Sequence, residues 1–189
     1  MKSDTIAAIA TALSDAGIGI IRISGPEAIA VANRVVVNKK KEHTLKNWQT
    51  HTIHYGFVEE NGTILDEVMV SVMKAPRSYT TEDTVEINCH GGVLLTKRVL
   101  EAVLHAGARM AEPGEFTKRA FLSGRIDLSE AEAVMDLIQA KNQFSMQASI
   151  KQLRGSVAEK VKSLRAALLY EIASVSYTHL RAHETDSYL

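Results

Sequence analysis

The residues best placed to do chemistry are charged side chains set among apolar neighbours. Arg22 lies in the run 18–24 (IGIIRIS), where strand alternation puts it on one face with Ile18 and Ile20. A buried unpaired charge is costly, so this guanidinium calls for a partner. Water at a strand edge or a structural carboxylate would serve, and so would a ligand. Glu86 shares a face with Thr84 and Asn88 in the run 84–89 (TVEINC) and raises the same question. Arg125 belongs to the densely charged stretch Pro113–Asp136, PGEFTKRAFLSGRIDLSEAEAVMD, with Glu115, Lys118, Arg119 and Asp127 around two glycines and a pair of Phe residues. Charged groups so placed can contact a bound ligand through charge-assisted hydrogen bonds.

Other candidates carry less. His90-Gly91-Gly92 follows the 84–89 strand and opens a helix. Two permissive glycines there can bare N–H groups to an anion, or simply make a sharp turn. The seven histidines form no metal-ligand constellation, and His179 with His183 at i, i+4 spacing lacks a third ligand. Lys39-Lys40-Lys41 reads as a solvated loop.

The elements that must hold these residues follow from periodicity. Residues 5–12 form a short apolar run, and 18–24 is the clearest strand. Ser24, Pro26 and Glu27 read as a capped helix start, with the helix running to about Val36. Residues 52–58 and 65–73 alternate around Glu60-Asn61-Gly62 as a hairpin, with Ile53, Tyr55 and Phe57 on one side. A helix with Leu95, Val99, Ala102 and Val103 inward runs to about His105 and stops at Gly107. From Leu128 the pattern is helical. Ser129 and Glu132 suit a capping box, and Ala131, Val134, Met135 and Ile138 make the apolar stripe. Later stripes (Phe144, Ala148, Ile150, Leu153, then Val157, Val161, Leu164, Leu168, Ile172) ask for helices that the chain does not supply, and Gly155 marks a kink or break.

Bulk properties bound the class. Lys plus Arg (22) equals Asp plus Glu (22) in 189 residues, so the broad positive charge of a protein that holds nucleic acid by charge alone is missing. A single cysteine, Cys89, excludes an internal disulfide and fits a reducing compartment. No signal peptide and no long apolar span are legible, so a soluble cytoplasmic protein without a membrane span is expected.

Three motifs then stand in a telling order and spacing: DTIAAIATA with GIGIIRISGP, YTTEDTVEINCHGG, and PGEFTKRAFLSGRIDLSEAEAVMDLI. Together they resemble the amino-terminal part of the MnmE (TrmE) tRNA-modification GTPase family over residues 4 to 174. The resemblance implies an α+β or α/β amino-terminal domain with a mixed sheet and helices, similar to tetrahydrofolate-binding aminomethyltransferase-type domains. That domain would build a homodimer and bind 5-formyl-tetrahydrofolate or methylene-tetrahydrofolate as one-carbon donor. An all-α helical domain would follow, here incomplete. It implies folate contacts from Arg22, Glu86 and Arg125: a carboxylate for the amino-pyrimidine edge of a pterin, and arginines for its oxygen, the formyl group or a glutamate tail. Arg22 and Glu86 pairing with each other is the competing structural account. In the full-length family, GTP, potassium and magnesium serve an inserted GTPase domain. With the flavoprotein MnmG, the family places an aminomethyl or carboxymethylaminomethyl group on C5 of the wobble uridine of certain tRNAs.

The departures are as informative. The chain has no G-x-x-x-x-G-K-[ST] loop and no Gly after Gly155, and its one cysteine lies in a strand. ALSDAG replaces a Pro-Gly-rich turn, and the match ends near Val175. The expectation is therefore a truncated chain that cannot hydrolyse GTP unaided. Its parts would be a folate-binding and dimerisation domain at 1–120, a partial helical domain at 121–175, and a non-native or disordered tail at 176–189. The alternative is a dimerisation or docking module for MnmG or tRNA with no folate role. Glu115, Lys118 and Arg119 read as surface or structural charges.

Overall fold

Strand alternation and two glycine-assisted turns set the architecture of the first unit. The structure, a computed structural model, describes residues 4–185. The chain divides into two units, Met1–Arg125 and Ile126–Leu189. In the first, the order is β1 (Ile6–Ile9), β2 (Ile18–Ser24), α1 (Ala28–Val35), β3 (Val36–Val37), β4 (Thr52–Glu60), β5 (Thr63–Met73), β6 (Thr84–His90), α2 (Val93–His105), β7 (Arg109–Met110) and α3 (Glu115–Leu122). The strands make one seven-stranded sheet in the order β3-β4-β5-β6-β2-β1-β7. Neighbours pair antiparallel except β1 with β7, which is parallel, so the sheet is mixed. The β4–β5 hairpin turns through Asn61 (φ 52°) and Gly62 (φ 81°), two left-handed residues of the kind whose twist matches the strands they join.

Period-2 alternation gives the sheet two different faces. Ile21 and Ile23 of β2, Val85 and Ile87 of β6, and Val70 and Val72 of β5 stand in register and are buried. Against them pack Ala28, Val31 and Ala32 of α1 and Val99, Ala102 and Val103 of α2, which together form the hydrophobic core. The opposite face carries a row of Ala8, Arg22, Glu86, Ser71 and Ile53, and beside it a row of Ile20, Asn88, Met69 and Tyr55. The two central strands thus offer polar side chains on the face that α1 and α2 leave open.

One helix start differs from the sequence reading. α1 begins at Ala28 with Glu27 as its N-cap residue and no side-chain cap. Ser24, expected to cap, instead shares a hydrogen bond with Thr80 Oγ1 at 2.7 Å and donates to Glu82 Oε2 at 2.9 Å. It ends β2 buried, where its hydroxyl must find a partner in the loop above. Thr5 takes over near the helix start, accepting the Glu27 N–H at 2.9 Å.

The second unit is helical: α4 (Leu128–Gln139), α5 (Gln143–Leu153) and α6 (Ser156–Thr185). Its first cap falls two residues before the expected one. Asp127 accepts the Glu130 N–H at 2.8 Å, and Glu130 Oε2 accepts the Asp127 N–H at 2.8 Å, a reciprocal capping box. Ser129 lies inside the first turn and donates to Asp127 Oδ1 at 3.0 Å. Asn142 caps α5, and Gly155 (φ 78°) separates it from α6. Gln152 of α5 donates to the Ser129 carbonyl at 3.0 Å, tying α5 to α4. Val161, Leu164, Leu168 and Ile172 of α6 are all exposed. Among the described residues, no helix is long and apolar enough to cross a membrane. The helix continues to Thr185. Residues 186–189 of the expected tail, and the side chains of His179 and His183, lie outside what is described.

Candidate functional site

Two of the three candidate residues meet directly. Arg22 and Glu86 are cross-strand partners on β2 and β6, and Arg22 Nε donates to Glu86 Oε1 at 2.8 Å. Their side chains are 32% and 22% exposed, enough for a ligand to reach them and too little for them to be ordinary surface charges. The register makes this inevitable: both face the open side of the sheet, one strand spacing apart. Among the described residues the bond engages only Nε and Oε1, and no hydrogen bond is made by the terminal amino groups of Arg22 or by Oε2 of Glu86. Over the guanidinium stands the ring of Phe116, with the Arg22 Cζ 5.6 Å from its centroid.

Among the described residues, Arg125 bonds neither of them. It follows α3 and the left-handed Gly124, and its Nη1 donates to the Tyr79 carbonyl at 3.2 Å. Its Cζ lies 5.3 Å from the centre of the Tyr79 ring. The Tyr79 hydroxyl in turn is hydrogen-bonded to Thr117 Oγ1 at 3.1 Å. Thr117 follows Phe116 on α3, so that helix links the Arg125 side of the region to the Arg22 side. Tyr79 and Phe116 did not emerge from the sequence, where a Tyr in a Pro-Arg-Ser-Tyr-Thr loop has no periodic neighbours to mark it.

α3 is held by charges that the sequence reading placed at the surface or in a structural role. Glu115 is 8% exposed and the Arg119 side chain 11%, so they are structural and not at the surface. Arg109 bonds Asp4 at 2.7 Å and Glu115 at 2.8 Å, and Arg119 bonds Asp4 at 2.8 Å, Glu115 at 2.9 Å and Glu82 at 3.1 Å. The Arg109 guanidinium, aided by Arg119, overcomes desolvation and holds the Asp4 carboxyl down at about 2. Arg109 does the same for Glu115, also to about 2, with the Glu112 backbone N–H and Arg119 contributing. Asp4 and Glu115 raise Arg109 in return, and the carboxylates around Arg119 outweigh its burial and raise it too. The i, i+4 spacing of Glu115 and Arg119 was the one legible sign of this network.

The Gly-Gly turn is built for close approach. A Cβ on Gly91 would sit 1.7 Å from the Ala16 carbonyl oxygen, so only glycine lets the two segments cross. His90 is occupied with Asp66, which accepts its backbone N–H at 2.7 Å and its Nδ1 at 2.8 Å. That carboxylate pushes the imidazole pKa up. The Cys89 thiol is buried, donates to the Gly19 carbonyl at 3.3 Å, and is pushed up by burial, the opposite of a reactive thiolate. Among the described residues, no group of three or more His, Cys, Asp or Glu could hold a metal ion.

Two family models match the chain: the GTP-binding protein TrmE N-terminus over residues 5–125, and the MnmE helical domain over residues 128–178. Among curated proteins, the chain is 58% identical over 175 residues to a tRNA modification GTPase MnmE of Lachnoclostridium phytofermentans, covering 93% of the chain and 38% of that protein. It is 53% identical over 175 residues to the protein of that name from Listeria welshimeri, with the same shares covered. To that of Streptococcus thermophilus it is 54% identical over 172 residues, 91% of the chain and 37% of the relative. The chain thus spans well under half the length of these relatives. Arg22, Glu86 and Arg125 themselves all fall inside the first matched domain, and on these matches the chain belongs to the MnmE tRNA-modification GTPase family, carrying its N-terminal and helical domains.

Proposed function

We propose that the chain binds a tetrahydrofolate one-carbon donor, 5-formyl- or methylene-tetrahydrofolate, through Arg22, Glu86 and Arg125. The observation that carries this reading is the Arg22–Glu86 pair, partly exposed at the centre of the sheet on the face without α1 and α2. A pterin presents an amino-pyrimidine edge of adjacent donors and an oxygen acceptor. A carboxylate with one free oxygen beside a guanidinium with two free amino groups matches that edge. Arg125 then meets the formyl oxygen or a glutamate carboxylate. In this reading the chain supplies the folate-binding and dimer-forming part of a wobble-uridine modification enzyme. The GTP, potassium and magnesium chemistry and the work with the flavoprotein MnmG on tRNA belong to the full-length system in the cytoplasm.

Calorimetry with 5-formyl-tetrahydrofolate tests it. Binding to the unaltered chain, weakened at least about tenfold by Glu86→Ala or Arg125→Ala, is expected. An absence of heat, or affinity unchanged in both variants, overturns it.

A second reading is a self-associating or docking module without folate. It is favoured by the apolar residues on the open sheet face: Ile18 (61% exposed), Ile53 (62%), Met69 (52%) and Tyr55 (44%), around a cavity of about 470 Å³. Light scattering decides the homodimer common to both readings; a strictly monomeric mass at micromolar concentration removes it.

A further inference from the structure

Arg125 carries its charge on a long, flexible side chain, and among the described residues no carboxylate pairs with it. Its backbone is fixed, the N–H donating to the Ala120 carbonyl at 3.0 Å. Its head is held from one side only, by the Tyr79 carbonyl at 3.2 Å and the Tyr79 ring at 5.3 Å. Tyr79 itself is well anchored. The neighbouring Ser78 hydroxyl donates to the Glu82 carbonyl at 2.5 Å, and Thr80, almost fully buried, bonds Ser24 at the end of β2 at 2.7 Å. The Tyr79 hydroxyl meets Thr117 of α3 at 3.1 Å, one residue from the Phe116 ring that flanks Arg22.

A guanidinium recognises a planar oxygen acceptor through a fork whose plane must be set in advance. We propose that Tyr79 is the positioning residue for Arg125: its ring and carbonyl fix the plane of the guanidinium, and its bond to Thr117 ties that plane to the helix lining the Arg22–Glu86 pair. One terminal amino group of Arg125 is spent on the Tyr79 carbonyl. The other, with Nε, is left to face a carbonyl or carboxylate oxygen of the ligand. The inference rests on the folate reading of the same site, and Tyr79 acts through Arg125 without contributing a charge of its own.

The experiment has two arms on the full chain. In calorimetry with 5-formyl-tetrahydrofolate, Tyr79→Leu is expected to weaken binding about tenfold, and Tyr79→Phe, which keeps the ring and loses the Thr117 bond, by less. In an Arg125→Ala background, Tyr79→Leu should change affinity less than about twofold, because there is no guanidinium left to position. Equal losses in both backgrounds overturn the proposal. The second arm needs no folate: the Arg125 Nε–Hε resonance in nitrogen-15 NMR should report a restrained side chain, and a mobile one in Tyr79→Leu. An Arg125 side chain as mobile in the unaltered chain as in the variant overturns the proposal whether or not folate binds. A restrained Arg125 without any folate heat rejects the folate reading alone. If Tyr79→Leu does not fold, Tyr79→Phe and Thr117→Val carry the same comparison, and no change of Arg125 mobility in either counts against it.

Discussion

Arg22 and Glu86 stand directly opposite each other on β2 and β6, joined Nε to Oε1 at 2.8 Å on the sheet face that carries no core. The sequence left open whether they pair or bind a ligand, and the geometry makes the two compatible. A single hydrogen bond holds the pair in line and leaves most of its donors and acceptors unspent. Such a partly exposed pair adds little to stability. Glu86→Gln is therefore expected to cost no more than about 1 kcal/mol in urea unfolding while lowering folate affinity at least about tenfold. A large loss of stability would recast the pair as structural.

The carboxylates around α3 make a different prediction. Asp4 and Glu115 titrate at about 2 in the folded chain, below the ordinary carboxylate range near pH 4. A depressed folded pKa stabilises above the unfolded value, and that contribution drains away as pH falls from about 4 towards about 2, because the unfolded chain takes up protons first. Thermal melts at falling pH should show Tm dropping across this window. Glu115→Gln, less stable at neutral pH, should show a shallower drop. Identical pH profiles for both proteins would rule the cluster out as the cause.

Glycines 91 and 62 separate two reasons for needing no side chain. Gly91→Ala drives a Cβ into the Ala16 carbonyl, backbone against backbone, and is expected to cost about 3 kcal/mol. Gly62→Ala meets open space and strains only its left-handed φ of 81°, for about 1 kcal/mol. Urea midpoints for the two variants check the order; a smaller cost at Gly91 would contradict the close crossing.

In the helical unit, Asp127→Ala removes the cap of α4 and should cost about 1 kcal/mol of its stability. Ser129→Ala, inside the first turn, should cost less than about half of that. Helix melting followed by circular dichroism distinguishes them, and the reverse order would move the cap back to Ser129.

Much of the fold was local and hence legible. Alternation in residues 18–24, 52–58 and 84–89 needs only a pleat and one apolar side to be read, and Asn61-Gly62 names its own turn. The α2 boundaries follow from Gly92 and Gly107 in the same way. What the sequence could not place were groups whose partners lie far along the chain. Ser24 and Ser129 both carry the signature of a cap, yet a buried hydroxyl in one case and a better-placed Asp127 in the other decide their bonds. Arg109 and β7 gave no periodic signal at all.

The site divides along the same line. By themselves the motifs and their order point to the family to which the chain belongs, and through that resemblance to Arg22, Glu86 and Arg125 as candidates. Only the tertiary structure brings Arg22 against Glu86 through the β2–β6 register, buries Glu115 and Arg119 in a shared ion cluster, and sets Arg125 on Tyr79. Alternation along one strand fixes which face a side chain takes. Which strand lies next to it is settled by long-range pairing and by burial of the opposite, apolar face, and no local pattern encodes that.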